Sequence, residues 1–204
     1  MKNSTSKSEL QTALQKLSKA IPTRSTIPIL SCVLIEAEET GTTLRTTDLE
    51  ITIIVTLPAS VEEEGSSVVP IQKLLSITNE LPEGRITIST NEQNRVTIFS
   101  ELGSYDLMGK PVDEFPAPPE TKEKSPLAID SKLLSKIIKT TSFVISADDL
   151  KPAITGLFIK IEEKRLTAVA TDGHRLVRYT INDYKTDKFT GEVIIPRKFL
   201  HLLS

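Results

Sequence analysis

The chain is written twice. Leu10, Leu14, Ile21, Pro28, Ile35, Glu38, Glu39, Asp48 and Thr56 fall on Leu134, Ile138, Ile145, Pro152, Ile159, Glu162, Glu163, Asp172 and Thr180 at a constant offset of 124. Val68-Val69-Pro70 returns as Ile194-Ile195-Pro196 with the offset lengthened by two. Each copy reads in the same order: amphipathic helix, proline-bearing loop, apolar strand, acidic turn, a strand ending in Thr-Asp, and a further strand. A period this long exceeds any solenoid unit and approaches the size of a domain. The expectation is therefore two copies of one α+β domain, each with helices on one side of antiparallel sheets. Copy one runs on for about 45 residues past Pro70, whereas eight residues follow Pro196. The reading is a truncated piece of a longer repeat protein, with the second domain incomplete.

Periodicity places the elements. Leu10, Ala13, Leu14, Leu17 and Ile21 give a helical stripe that Ser8 is expected to cap, with Gln11 completing the box. Strands are expected over 29–37, 42–47 and 51–57, then an exposed acidic connection over 61–67. A helix over 71–81 precedes strands at 85–90, 95–100 and 104–108. Tyr105 and Leu107 share a face of the last strand, either as ordinary core or as an apolar edge awaiting a partner. The proline-rich stretch over 110–126 is a semi-rigid boundary. The domains expected are 1–118 and 128–204, with 119–127 as linker. In copy two, Asp130 caps a helix over 131–141 whose Leu133, Leu134, Ile137, Ile138 and Thr141 face inward. Strands are expected over 154–161, 166–170, 177–181 and 193–195, and Pro196 opens a helix.

Composition narrows the class. Hydrophobic residues make up 38% of the 204 and charged residues 25%, a globular balance. The single cysteine, Cys32, allows no internal disulfide, and no apolar run reaches membrane-spanning length. With a polar start after Met1, a cytoplasmic protein without membrane partners is expected. The net charge of −2 is unevenly spread: residues 1–120 carry 10 Lys/Arg against 17 Asp/Glu, residues 121–204 carry 15 against 10.

Three features carry chemistry. Lys132, Lys136 and Lys139 recur at helical spacing opposite the apolar stripe, with no acid among residues 131–147. Such a row is either a wet face or a surface for phosphate backbone, which needs positive charge but no planar forks to read bases. The second feature is Thr171-Asp172-Gly173-His174-Arg175-Leu176, which is either an ordinary hairpin turn or a functional one. The third is Asp48-Leu49-Glu50, whose carboxylates could hold Mg²⁺ in a metal-dependent nuclease. Copy two has His174 in place of Glu50, so the simpler reading is that Asp48 and Asp172 serve their turns. No zinc-ligand spacing, phosphate loop or nucleophile elbow is present, and no cofactor, metal site or catalytic residue is expected. A scaffold for DNA, a nuclease and a peptide-binding adaptor are the three classes left.

Ser25-Thr26-Ile27-Pro28-Ile29-Leu30, Thr47-Asp48-Leu49-Glu50, Glu114-Phe115-Pro116, Ala170-Thr171-Asp172-Gly173-His174-Arg175-Leu176 and Ile194-Ile195-Pro196-Arg197-Lys198 together resemble the bacterial sliding clamps, the beta subunits of DNA polymerase III. The resemblance covers the whole chain. It implies a non-catalytic processivity factor, a homodimeric ring of three domains per subunit around double-stranded DNA, bound without sequence preference. Domain three would be absent here. The implied partners are the DNA polymerase III core, the clamp loader and other proteins carrying a clamp-binding motif. Ile154, Thr171, Gly173, His174, Arg175 and Leu176 would form this chain's part of a peptide-binding cleft. Arg24, Lys151, Arg197 and Lys198 would face DNA with the lysine row, and Lys73, Tyr105 and Leu107 would lie at the subunit interface. Asp148 stands where a neutral DNA-contacting residue can occur.

Overall fold

The computed structural model describes residues 1–22, 25–118, 129–148, 150–185 and 190–203. The chain divides into two compact units, Met1–Pro119 and Glu120–Ser204.

Unit one holds β1 (Lys2–Ser6), α1 (Lys7–Leu17), β2 (Cys32–Glu38), β3 (Gly41–Thr47), β4 (Thr52–Leu57), β5 (Ser60–Glu63), β6 (Gly65–Pro70), α2 (Ile71–Glu80), β7 (Arg85–Thr90), β8 (Arg95–Ser100) and β9 (Gly103–Met108). They form a four-stranded sheet in the order β4-β3-β2-β6 and a five-stranded sheet in the order β5-β1-β7-β8-β9, every pairing antiparallel. One core joins both sheets to both helices: Leu10, Leu14 and Leu17 of α1 and Ile71 and Leu74 of α2 pack with Val33, Ile35, Leu44, Val69, Ile86, Ile88, Val96 and Ile98.

Unit two holds α3 (Ser131–Thr141), β10 (Gly156–Glu162), β11 (Arg165–Thr171), β12 (Leu176–Asn182), β13 (Gly191–Pro196) and α4 (Arg197–Leu203). Its sheet runs β12-β11-β10-β13, the order of the unit-one sheet element for element. The register agrees too. Cys32 faces Pro70 and Gly156 faces Pro196, while Thr47 faces Thr52 and Thr171 faces Leu176. Because a one-residue slip would turn every side chain to the other face, matching registers carry the repeat down to single positions. The α+β class and the two copies stand as the sequence implied.

Three expectations are corrected, and one strand stands where none was expected. Polar Lys2–Ser6 is a strand, and hydrogen bonds to other elements hold two of its buried positions: Thr5 Oγ1 donates to the Pro58 carbonyl at 2.7 Å and Ser4 shares a hydrogen bond with Thr87 at 2.8 Å. Ser6, not Ser8, caps α1, its hydroxyl accepting from the Glu9 N–H. The acidic stretch over 61–67 belongs largely to β5 and β6, where Glu62 meets Lys2 of β1 at 2.7 Å instead of facing water alone. Finally, Pro28–Ser31 and Pro152–Ile154 are single 3₁₀ turns ahead of β2 and β10, because proline fixes φ and donates no ladder hydrogen bond.

The four-stranded sheet of unit one is covered on both faces. Val33 and Ile35 of β2 point to the helix-bearing core, and Cys32 and Leu34 point the other way. That second face is closed by the chain after β9, a 3₁₀ turn at Val112–Glu114 followed by Phe115. Phe115 joins Ile29, Leu30, Cys32, Leu34 and Val68, and the Arg45 guanidinium stacks 5.6 Å from its ring centroid. Burial pushes the Cys32 thiol above its ordinary pKa, so the free cysteine is chemically quiet. Phe115→Ala is expected to lower the stability of unit one by about 3 kcal/mol in urea unfolding. It should also open Cys32 to thiol reagents, and unchanged labelling kinetics would contradict the role given to the ring.

Candidate functional site

Turn chemistry is identical in the two copies. Asp48 Oδ1 accepts from the Glu50 and Ile51 N–H groups at 3.1 and 2.7 Å, and Asp172 Oδ1 accepts from those of His174 and Arg175 at 2.9 and 2.8 Å. One residue earlier, Thr47 and Thr171 each accept from the turn's apex N–H, at 3.1 Å in both. That apex has positive φ in both, 78° at Leu49 and 89° at Gly173. The two aspartates therefore shape their loops, and the carboxylate pair Asp48/Glu50 is committed on one side to backbone donors. Among the described residues no group of three or more His, Cys, Asp or Glu side chains could hold a metal ion.

Beyond the shared aspartate the copies diverge. Arg175 returns a bidentate pair to Asp172 Oδ2, Nε at 3.1 Å and Nη2 at 3.0 Å, where copy one has the apolar Ile51. Sequence reasoning missed this clamp, although an acid three residues before an arginine across a turn was its visible signal. His174 stays exposed, Leu176 opens β12 with 63% of its surface in water, and Ile154 is half-buried. The registers bring Thr171, Leu176 and Pro196 to one end of the unit-two sheet, where Ile154 leads into β10 and the Arg197 N–H donates to the Thr155 carbonyl at 3.1 Å. The residues expected to form the cleft thus share one sheet end, with a fixed arginine, an open histidine and an exposed leucine.

The lysine row lies on the outer side of α3. Asp130 caps the helix by accepting from the Leu133 N–H at 2.9 Å, Ile137, Ile138 and Thr141 are buried, and Lys132, Lys136 and Lys139 are exposed. With Ser131, Ser135 and Thr140 they line a shallow hollow of about 430 Å³. Lys136 also lies 5.9 Å from the Tyr179 ring centroid, so one cation of the row is partly steered. The other basic residues expected to face DNA have their own partners or lie outside the described residues. Lys151 pairs with Asp148 at 3.6 Å, so the acid there neutralises its own neighbour, and Arg197 Nε donates to His201 Nε2 at 3.4 Å. Lys198 is half-buried, and Arg24 lies outside the described residues. In unit one, Lys73 is exposed on α2. β9 is an end strand on which Leu107 packs against the core and Tyr105 is exposed, so the two alternatives for that face divide between the two residues.

Two registered copies of one sheet-and-helix unit, with matching Thr-Asp turns, define a protein assembled from repeated clamp domains. The chain belongs to the DNA polymerase III beta subunit family: the description "DNA polymerase III beta subunit, N-terminal domain" matches residues 1–119 and "central domain" matches residues 128–204. The beta sliding clamp of Staphylococcus aureus is 34% identical over 203 residues, covering 95% of this chain and 53% of that protein. The sliding clamp of Bacillus subtilis superposes with a TM-score of 0.89 at 30% identity over 100% of this chain and 56% of that one. For the DNA polymerase beta subunit of Streptococcus pyogenes the values are 0.88 and 32%, over 99% and 55%. The chain spans about half the length of the curated relatives it matches.

The N–H groups of Arg175 and His174, then the Arg175 guanidinium, hold the Asp172 carboxyl far below the ordinary aspartate value of 3.8. A depressed folded-state pKa means the turn's stabilisation is complete above the ordinary value and disappears only as pH falls through the lowered one. In a carboxyl-carbon NMR titration Asp172 should therefore show no protonation step near 3.8. A midpoint there would mean that the backbone hydrogen bonds of the turn, and the Arg175 clamp with them, are open in solution.

Proposed function

We propose that this chain is part of a DNA sliding clamp, a ring that tethers the replicative polymerase to duplex DNA and performs no catalysis itself. The observation that carries this reading is the exposed, acid-free lysine row on α3 in a chain of this family. Three long, solvated cations attract phosphate without fixing a register, and a closed ring turns such slack contacts into lasting attachment. Lys151, Arg197, Lys198 and Arg24 are assigned to face DNA as weaker contributors, and Lys151 already has an acidic partner. Full-length subunits would pair as a homodimer through Lys73, Tyr105 and Leu107, with β9 as the available edge. Domains 1–118 and 128–204, joined by the linker 119–127 outside the described residues, would be the first two of three.

Ile154, Thr171, Gly173, His174, Arg175 and Leu176 are proposed as this chain's share of a cleft for short linear peptides of the polymerase III core, the clamp loader and other partners. Leu176 supplies an uncovered apolar wall, Gly173 leaves room for backbone, and Asp172 keeps Arg175 at the rim in one orientation. Among the described residues no helix is long and apolar enough to cross a membrane. The location assigned to the protein, with its polymerase partners, is the cytoplasm.

Replacing Lys132, Lys136 and Lys139 together by Ala is expected to shorten residence of the full-length ring on circular duplex DNA, with a weaker dependence on salt. Unaltered residence and polymerase processivity would favour the peptide-adaptor class instead, and metal-dependent duplex cleavage lost in Asp48→Ala would favour the nuclease. Leu176→Ala should weaken binding of a clamp-binding peptide to the full-length protein by about 1–3 kcal/mol, the scale of an anchor contact. Unchanged affinity would remove Leu176 from the cleft.

A further inference from the structure

Asp172-Gly173 sets a side-chain carboxyl beside a following nitrogen that no side chain shields. In such a pair the Gly173 nitrogen can attack the Asp172 carboxyl carbon: a C–N bond forms, one water leaves, and a five-membered succinimide results. Hydrolysis returns one water. Opening at the main-chain carbonyl leaves the chain running through the former side chain, as isoaspartate, and no reagent besides water is needed. Glycine favours the step because it lacks a Cβ and moves freely in φ and ψ. The space beside it is open as well, with nothing within 4 Å of where a Cβ would stand. The turn, however, holds both reacting groups. The Gly173 N–H is committed to Thr171 Oγ1 at 3.1 Å. The carboxylate accepts from the His174 and Arg175 N–H groups on Oδ1 and from Arg175 Nε and Nη2 on Oδ2. A bidentate guanidinium fixes the carboxylate's plane as well as its charge, and an ionised carboxylate resists nucleophiles.

Copy one supplies the contrast. Its turn has the same backbone hydrogen bonds, but the residue after Asp48 is Leu49, whose side chain shields its own nitrogen, and three residues past Asp48 stands Ile51, whose side chain has no donor. The guanidinium clamp stands at the turn whose apex is glycine. We propose that Asp172-Gly173 is a site of spontaneous isoaspartate formation and that Arg175, with Thr171, is its guard. Reaction proceeds only through the opened turn, and the clamp sets how often the turn opens. The product carries one extra backbone carbon between two groups that now meet closely, the Asp172 N–H and the Arg175 carbonyl at 3.3 Å. His174, Arg175 and Leu176 would move with the lengthened loop. The damage falls on residues assigned to the peptide cleft, but the inference rests on the geometry of the turn and not on that assignment.

The readout is isoaspartate itself, labelled by an isoaspartyl methyltransferase and located by mass spectrometry after the 204-residue chain has stood in warm, neutral buffer. A linear peptide of residues 168–178 gives the unguarded rate. The folded chain is expected to convert far more slowly than the peptide. Arg175→Ala should convert about tenfold faster than the unaltered chain, the scale of losing hydrogen bonds to a charged group. Arg175→Lys should fall between them, because an ammonium keeps the charge and loses the fork. Adding Gly173→Ala to Arg175→Ala should bring the rate back down, whereas Arg178→Ala, at an exposed arginine on the same strand, should leave it unchanged. Equal rates in the chain and the peptide, or in Arg175→Ala and the unaltered chain, would overturn the proposal. So would an equal acceleration by Arg178→Ala, which would mark a general loosening of β12 in place of a guard.

Discussion

A strand that is apolar on both sides cannot leave either side in water, and β2 is such a strand. Val33 and Ile35 require the helices on one face, and Cys32 and Leu34 require Phe115 on the other. Each buried aliphatic side chain contributes about 1.5–3 kcal/mol relative to exposure, so losing either layer would consume most of a domain's stability. The segment after β9 is thus a structural layer before it is a connection. Its prolines fit that task, because a pre-extended backbone loses less entropy on lying down over a sheet.

The same sheet architecture separates the chemistry by location. Helix α3 buries Ile137 and Ile138 and turns its lysines outward, while the Asp172 turn projects from the sheet end. A helix face offers long, mobile ammonium groups suited to a partner that must slide. A turn held by two backbone hydrogen bonds and a guanidinium fork offers fixed geometry suited to a partner that must stop. Unit two carries both kinds of surface on rigid elements.

Much of this was legible in the residues, for identifiable reasons. The repeat was visible because buried positions keep their spacing: Ile35 and Ile159 are both sealed in the core. The lysine row was visible because α3 has a clean helical period. β1 was not legible, since Asn3, Ser4 and Thr5 are polar and their burial depends on hydrogen bonds to distant strands. β5 hid for the same reason behind its acids, whose partner Lys2 is about 60 residues away. The role of Phe115 was also hidden, because an aromatic among prolines reads as linker until the sheet beneath it is known. In the site, the turn was readable from Thr-Asp-Gly, whereas the engagement of Arg175 by Asp172 depended on a side-chain orientation that spacing alone does not specify.

Leu49 occupies a left-handed backbone position that costs a branched side chain about 1–2 kcal/mol, and 59% of its surface is in water. The loop keeps its shape regardless, because Thr47 and Asp48 grip the backbone on either side of it. The tip is therefore decoupled from the socket that holds it. Leucine in one copy and glycine in the other can be exchanged without redrawing the loop, which leaves a repeat free to diversify what it shows at a vertex while its mould stays the same.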